Sequence, residues 1–199
     1  MFYRIIRGIL RPIIYLLYRP SIVGLENFPS TGGVILYSNH ISLLDPIVIG
    51  CMLPRKVYFM AKTELFKSSV FGFILRNLGA FPVKRGTADL AAIRNSLRVL
   101  KSGKVFGIFP EGTRNKPGAV QHFSHGAASI AHRSKAKIIP IGITGEYKLF
   151  RYRSVKVVIG EAVDMDGYFT QKSSTDLLES MSIKMEESLA NLLGDATSV

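Results

Sequence analysis

Residues 1–160 hold only six carboxylates, Glu26, Asp45, Glu64, Asp89, Glu111 and Glu146, and two of them sit in stretches suited to chemistry. Asp45 closes Asn39-His40-Ile41-Ser42-Leu43-Leu44-Asp45, and Glu111 belongs to Phe109-Pro110-Glu111-Gly112-Thr113-Arg114. A carboxylate that holds one ring nitrogen of an imidazole leaves the other free as a general base. The plainer reading of the first stretch is a loop histidine beside an aspartate that caps a helix. Arg114 adds a guanidinium fork, which matches phosphate oxygens two at a time. No Gly-x-Ser-x-Gly occurs, and the single cysteine, Cys51, lies in the apolar run Ile47–Leu53 and reads as core. Without an evident nucleophile on the protein, direct attack by a bound hydroxyl is the simplest transfer chemistry open to His40.

The elements that must position these residues follow from patterning. Val34-Ile35-Leu36-Tyr37 reads as a buried strand that delivers His40 just beyond its end. Asp45-Pro46 reads as a helix start, with the carboxylate at N-cap and proline at the first helical position; the helix runs over about 46–53 and stops at Pro54. Further strands are expected at 21–25 (an edge), 56–60, 80–85, 105–109, 138–143 and 155–159. A helix begins at Thr87 or Asp89, carries Leu90, Ile93, Leu97 and Leu100 as a stripe, and ends at Gly103. A short helix follows Gly126. The tail, with Leu178, Met181, Met185, Leu189 and Leu192 at helical spacing, is an acidic amphipathic helix. Strands alternating with helices give an α/β fold, a sheet layered by helices.

Charge is unevenly spread. The whole chain of 199 residues carries +12, yet residues 161–199 hold eight acids against Lys172 and Lys184. Residues 1–160 therefore carry +18, a surface that seeks phosphate groups or an acidic partner. Cys51 alone cannot form an internal disulfide, which fits a reducing compartment.

Residues 1–18 set Arg4, Arg7 and Arg11 on one helical face, with Phe2, Ile5, Ile6, Ile9, Leu10, Ile13, Ile14, Leu16 and Leu17 around the rest. This predicts an amphipathic helix lying in a membrane interface, arginines at the headgroups; the plainer alternative is a terminal helix packed on its own domain. Its longest charge-free run, Pro12 to Tyr18, is far short of the ~20 residues a membrane span needs. The expected division is thus an anchoring helix over 1–20 and a catalytic domain over 21–199.

Together, Asn39-His40 with Asp45 and Phe109–Arg114 resemble the glycerolipid acyltransferase family, enzymes with a histidine-x4-aspartate motif. Lys62, Leu65, Gly72 and Arg85 fit the spacing of that family's second motif, and Ile138-Ile139-Pro140-Ile141 resembles its fourth. The resemblance runs from about residue 20 to 160. It implies a single mixed-sheet acyltransferase domain that moves an acyl chain from a thioester, on coenzyme A or an acyl carrier protein, to the sn-2 hydroxyl of a lysophospholipid. The expected acceptor is 1-acyl-glycerol-3-phosphate, giving phosphatidic acid; another lysophospholipid is the nearest alternative. His40 would be the base and Asp45 its orienter. Arg85 and Arg114, with Lys62 as a point charge, would hold the acceptor's phosphate. Glu111, Gly112 and Thr113 would position substrate, with Glu111 holding Arg114 or a glycerol hydroxyl and Gly112 letting backbone approach the substrate. No metal and no bound cofactor are expected: His122, His125 and His132 have no acid or thiol near them in sequence.

Val70–Leu78 either lines an acyl groove, with Gly72 opening space, or packs in the core. Lys148, Arg151, Arg153 and Lys156 either dock the acidic face of a carrier protein or coenzyme A phosphates, or form a solvated basic strand. The expected setting is the cytoplasmic face of the cell membrane, on an anionic lipid surface, as a peripheral protein. A basic nucleic-acid-binding protein would also explain the charge. Against it, aromatic and basic residues are not interleaved and the N-terminal helix is too apolar, so no nucleic-acid partner is expected. A membrane scaffold without catalysis is disfavoured by the intact His40–Asp45 pair.

Overall fold

The computed structural model of the chain describes residues 1–84, 89–115, 121–150 and 155–197. Seven strands among them form one sheet: β1 (Ser21–Val23), β2 (Val34–Ser38), β3 (Val57–Lys62), β4 (Phe81–Val83), β5 (Val105–Ile108), β6 (Lys137–Gly145) and β7 (Val155–Ile159). Their spatial order is β1-β7-β6-β2-β5-β3-β4. All neighbours are parallel except β6 and β7, so the sheet is mixed.

The apolar runs explain the layers. In β2 every residue is buried: Val34 and Leu36 face one core, Ile35 and Tyr37 the other. Such two-sided burial demands helices on both faces. The first face is covered by α2 (Asp45–Met52), through Val48, Ile49 and Met52, and over it by α1 (Phe2–Tyr18), through Ile14. The second carries α4 (Leu90–Lys101), α5 (His125–Ser134) and α7 (Thr175–Thr197), the last burying Leu177, Met181, Met185, Leu189 and Leu193. Asp89 caps α4, accepting from Ala91 and Ala92 at 3.0 Å, and Leu90 of the expected stripe is exposed. Two short helices complete the chain, α3 (Ser69–Leu78) and α6 (Asp166–Phe169).

The N-terminal helix is not quite the one expected. Arg4 and Arg11 are exposed, but Arg7 turns inward and donates to the carbonyl oxygens of Leu53 (2.7 Å) and Cys51 (3.3 Å) at the C-terminal end of α2. Those carbonyls lack helical partners, so a cation there is favourable. Tyr3 adds a bond to Gly50 oxygen at 3.1 Å. The helix is thereby docked by one arginine and one tyrosine, and its outward face carries Ile5, Ile9, Ile13 and Leu16. Among the described residues no helix is long and apolar enough to cross a membrane.

Within α3, Val70, Phe71 and Phe73 are exposed, which overturns the core-packing alternative for them. Gly72 opens no groove: a Cβ there would stand 3.0 Å from the backbone oxygen of Phe66, so the glycine lets the preceding 3-10 turn (Thr63–Phe66) pack closely.

Candidate active site

The parallel strands β2, β3, β5 and β6 end on one edge of the sheet, and β2 lies where the chain order reverses: β3 follows on one side, β6 on the other. A crevice opens outside the strand ends at such a switch point. His40 leaves β2 there, with Asn39 bracing it. The Asn39 amide donates to Ile143 oxygen and accepts from Ile143 N–H, both at 2.8 Å, tying the end of β2 to β6.

Asp45 reaches back to the histidine at 2.6 Å, from Oδ2 to Nδ1. It does not cap α2, whose N-cap is Leu44. Its Oδ2 instead accepts the backbone N–H groups of Ile41 and Ser42, both at 2.8 Å, across the turn. Competition between helix cap and turn is won by the turn, because two N–H donors and the imidazole converge on one oxygen. Oδ1 accepts the phenol of Tyr147 at 2.7 Å. Two backbone N–H groups and a phenol all donate to this fully buried side chain, as they would to a carboxylate. Nδ1–H therefore donates to it as well, and Nε2 is left as the open ring nitrogen. Nε2 has no hydrogen-bond partner among the described residues. Burial, and then the Asp45 charge beside it, hold the Tyr147 phenol well above its ordinary range.

One face of the imidazole is closed. His40 stacks on Phe109 at 4.2 Å and 22°, and Phe109 stacks on Phe59 at 5.7 Å and 9°. Phe109 begins the loop after β5, and that loop is bound to the histidine by its backbone: Asn115 N–H donates to His40 oxygen at 2.7 Å. The half-buried Glu111 accepts from the Asn115 side chain at 2.7 Å and from Gln121 N–H at 3.4 Å. Burial pushes its carboxyl up, opposed by backbone hydrogen bonds from Gln121 and His40 and by Asn115. Of the two partners expected for Glu111, Arg114 is thus replaced by Asn115, which shapes the loop. Gly112 sits at φ +70°, a turn that glycine adopts without strain, and a Cβ there would meet nothing within 4 Å. Space beside it is open.

The remaining expected residues fall as follows. Thr113 and Arg114 are exposed in the same loop, and Arg114 makes no hydrogen bond or ion pair among the described residues. Lys62 ends β3 on the site's edge, exposed and 3.4 Å from Glu64. β4 ends on that edge too, but Arg85 lies outside the described residues, as do Arg151 and Arg153. Lys148 pairs with Glu146. His122 and His125 do have acids near them, supplied by α7: His122 lies 3.1 Å from Glu186, and Glu179 pairs with His125. Among the described residues no three His, Cys, Asp or Glu side chains are grouped to hold a metal ion. Sequence reasoning missed Tyr147 and the structural work of Asn39 and Asn115; the two asparagines stand next to motif residues, whereas Tyr147 carries no local signal.

This geometry is that of a buried histidine–aspartate pair beside an open, cation-bearing loop, set at the strand ends of an α/β sheet. Residues 19–144 match the family model described as Acyltransferase, and the chain belongs to that family. It is 29% identical over 194 residues to the 1-acyl-sn-glycerol-3-phosphate acyltransferase of Bacillus subtilis, covering 96% of both chains. The enzyme of the same name from Streptococcus pneumoniae is 34% identical over 158 residues, 75% of this chain and 56% of that one. The crystal structure of the 1-acyl-sn-glycerophosphate acyltransferase from Thermotoga maritima superposes with a TM-score of 0.73 at 26% identity, over 99% of this chain and 80% of that chain.

Proposed function

We propose that this acyltransferase moves an acyl chain from a thioester to the sn-2 hydroxyl of 1-acyl-glycerol-3-phosphate, producing phosphatidic acid. The observation that carries the reading is the His40–Asp45 pair, with Nδ1 fixed and Nε2 unengaged at the switch point. Nε2 takes the hydroxyl proton as the acceptor oxygen bonds to the thioester carbonyl carbon. The tetrahedral intermediate collapses, the C–S bond breaks, and the imidazolium can return its proton to the departing sulfur. Asp45 balances the imidazolium charge. Holding two substrates in register supplies much of the rate. Arg114 and Arg85, with Lys62 as a point charge, bind the acceptor's phosphate, while Gly112 and Thr113 leave room for its glycerol. Coenzyme A or an acyl carrier protein carries the donor, and no metal or bound cofactor takes part.

The protein works as a peripheral enzyme on the cytoplasmic face of the membrane, where the lone thiol of Cys51 stays reduced. Support comes from the outward residues Ile5, Ile9, Ile13 and Leu16 of α1, beside Val70, Phe71 and Phe73 of α3. Phe2 and Phe73 meet edge to face at 6.1 Å, so the two apolar faces adjoin. The exposed Arg4, Arg11 and Lys67 suit anionic headgroups. Purified protein offered a labelled acyl thioester and a panel of lysophospholipids tests the assignment. Labelled phosphatidic acid is expected; acylation confined to choline or ethanolamine acceptors would replace the substrate named here.

A further inference from the structure

A histidine–aspartate pair uses one carboxylate oxygen, and the second oxygen of Asp45 is also committed. Oδ1 accepts the phenol of Tyr147, 102 residues away in the segment after β6. That segment is in turn held by the end of α1. The Tyr147 ring meets Tyr18 edge to face, centroids 5.5 Å apart and planes at 82°. Three residues on, the Phe150 N–H donates to Leu17 oxygen at 2.6 Å. Tyr18 is the last residue of α1, and Leu17 precedes it.

We infer that Tyr147 is a positioning residue for the His40–Asp45 pair, and that the C-terminal end of α1, through Tyr18 and Leu17, sets where Tyr147 stands. The terminal torsion of an aspartate is soft, so a carboxylate needs contacts on both oxygens to hold its plane. Ile41 and Ser42 fix Oδ2, Tyr147 fixes Oδ1, and the Oδ2 lone pair stays aimed at Nδ1. The phenol also draws negative charge from the carboxylate and so tempers the basicity that Asp45 lends the imidazole. A neutral donor does this without a counter-charge that would neutralise the pair. The ring of Tyr18 supplies contact but no bond to Asp45, so its share is mechanical. A consequence is that the helix whose outer face is assigned to the membrane is tied at its other end to the catalytic base.

Other titratable groups near the pair are Glu111, which the His40 backbone N–H contacts, and Tyr18 behind Tyr147; Glu146 and Lys148 flank Tyr147 and pair with each other. None of them donates to Asp45 in place of the Tyr147 phenol among the described residues.

The kinetic part of this inference rests on the acyl-transfer reading above, so its test has a second readout that needs no substrate. Full-length Tyr147→Phe, Tyr18→Ala and Tyr18→Phe are compared with the parent protein. The His40 ring is titrated by nuclear magnetic resonance, its signals assigned by their loss in His40→Gln. Tyr147→Phe should move the His40 midpoint upward by about half a unit or more, as removal of a donor from Asp45 requires. With 1-acyl-glycerol-3-phosphate, its kcat should fall by about tenfold while KM stays within about twofold, the mark of a misaligned base rather than lost binding. Tyr18→Ala should lower kcat less, and Tyr18→Phe, which keeps the ring, should restore it. Tyr147→Phe differs by one hydroxyl, and its circular dichroism should match the parent. An unmoved His40 midpoint with an unchanged kcat would overturn the inference, as would a loss confined to KM. Should the parent protein fail to acylate this acceptor, the acyl-transfer reading falls, and the His40 titration alone decides the role of Tyr147.

Discussion

The imidazole of His40 lies almost parallel to the ring of Phe109, 4.2 Å away. Stacking closes one face of the imidazole to water and leaves only the ring edge open, where Nδ1 is already held by Asp45. His40→Ala should therefore lower kcat by about two to four orders of magnitude, and Asp45→Asn somewhat less, with substrate binding nearly intact. Phe109→Leu, which keeps apolar bulk but loses the flat contact, should cost far less than either. Steady-state kinetics on folded variants decides; a tenth of parental turnover in His40→Ala would remove the histidine from the mechanism.

Arg114 stands exposed in the loop after β5 with no carboxylate partner among the described residues, which leaves its guanidinium available to a phosphate dianion. A hydrogen bond to a charged partner contributes about 1.5–3 kcal/mol, so Arg114→Ala should lose roughly tenfold to hundredfold in kcat/KM. Lys should rescue only in part, since an ammonium cannot reproduce the fork. Varying acceptor and donor separately locates the effect. A rise in KM confined to the thioester would reassign Arg114 to the donor.

Membrane contact through α1 depends on its outward stripe. Full burial of such a side chain is worth about 1.5–3 kcal/mol, so Ile9→Glu should weaken binding to anionic vesicles by roughly tenfold or more. Arg4→Glu with Arg11→Glu should weaken it by about 1 kcal/mol per residue. Co-sedimentation measures both, and binding unaltered in Ile9→Glu would exclude this face of α1 from the bilayer.

Arg7 separates from its neighbours because it serves the fold. Losing its bonds to the C-terminal end of α2 should lower stability in urea by about 1.5–3 kcal/mol for Arg7→Ala. Arg4→Ala and Arg11→Ala, both at exposed positions, should stay within about 0.5 kcal/mol of the parent. Equal losses at all three positions would contradict the docking of α1 described here.

Alkaline pH offers a check on Tyr147. Burial and the Asp45 carboxylate raise its phenol above the ordinary value of 10.0. The native state then holds a proton that the unfolded chain releases, so this group's contribution is complete below pH 10 and lost as pH rises beyond it. The stability difference between the parent and Tyr147→Phe should hence shrink as pH rises from about 9 to about 11. Urea denaturation across that range should show the curves converging; parallel curves would place the phenol in solvent.

Much of this molecule was written locally. The runs at 34–37, 105–109 and 138–143 are apolar on both faces, and only a sheet covered on both sides can bury them. His40 and Asp45 are five residues apart, a distance that one turn closes, so their contact needed no knowledge of the rest of the fold. The helix start at Asp45-Pro46 was also legible, yet the backbone N–H groups of Ile41 and Ser42 and the Tyr147 phenol, which share the carboxylate with His40, were not. A capping side chain and a turn-closing one share the same residue type, and the choice followed from the imidazole in front of it.

Other contacts were decided by the order of the strands. Asn39 meets Ile143 across 104 residues, Tyr147 meets Asp45 across 102, and Arg7 meets Leu53 across 46. No periodicity encodes such pairs, because they depend on β6 returning beside β2 and on where α1 comes to rest over α2. Phe59 and Phe109 stack for the same reason: β3 and β5 became neighbours although α3, β4 and α4 separate them along the chain. Short-range chemistry is fixed by residue spacing, whereas the partners that brace it are chosen by the crossovers of the sheet.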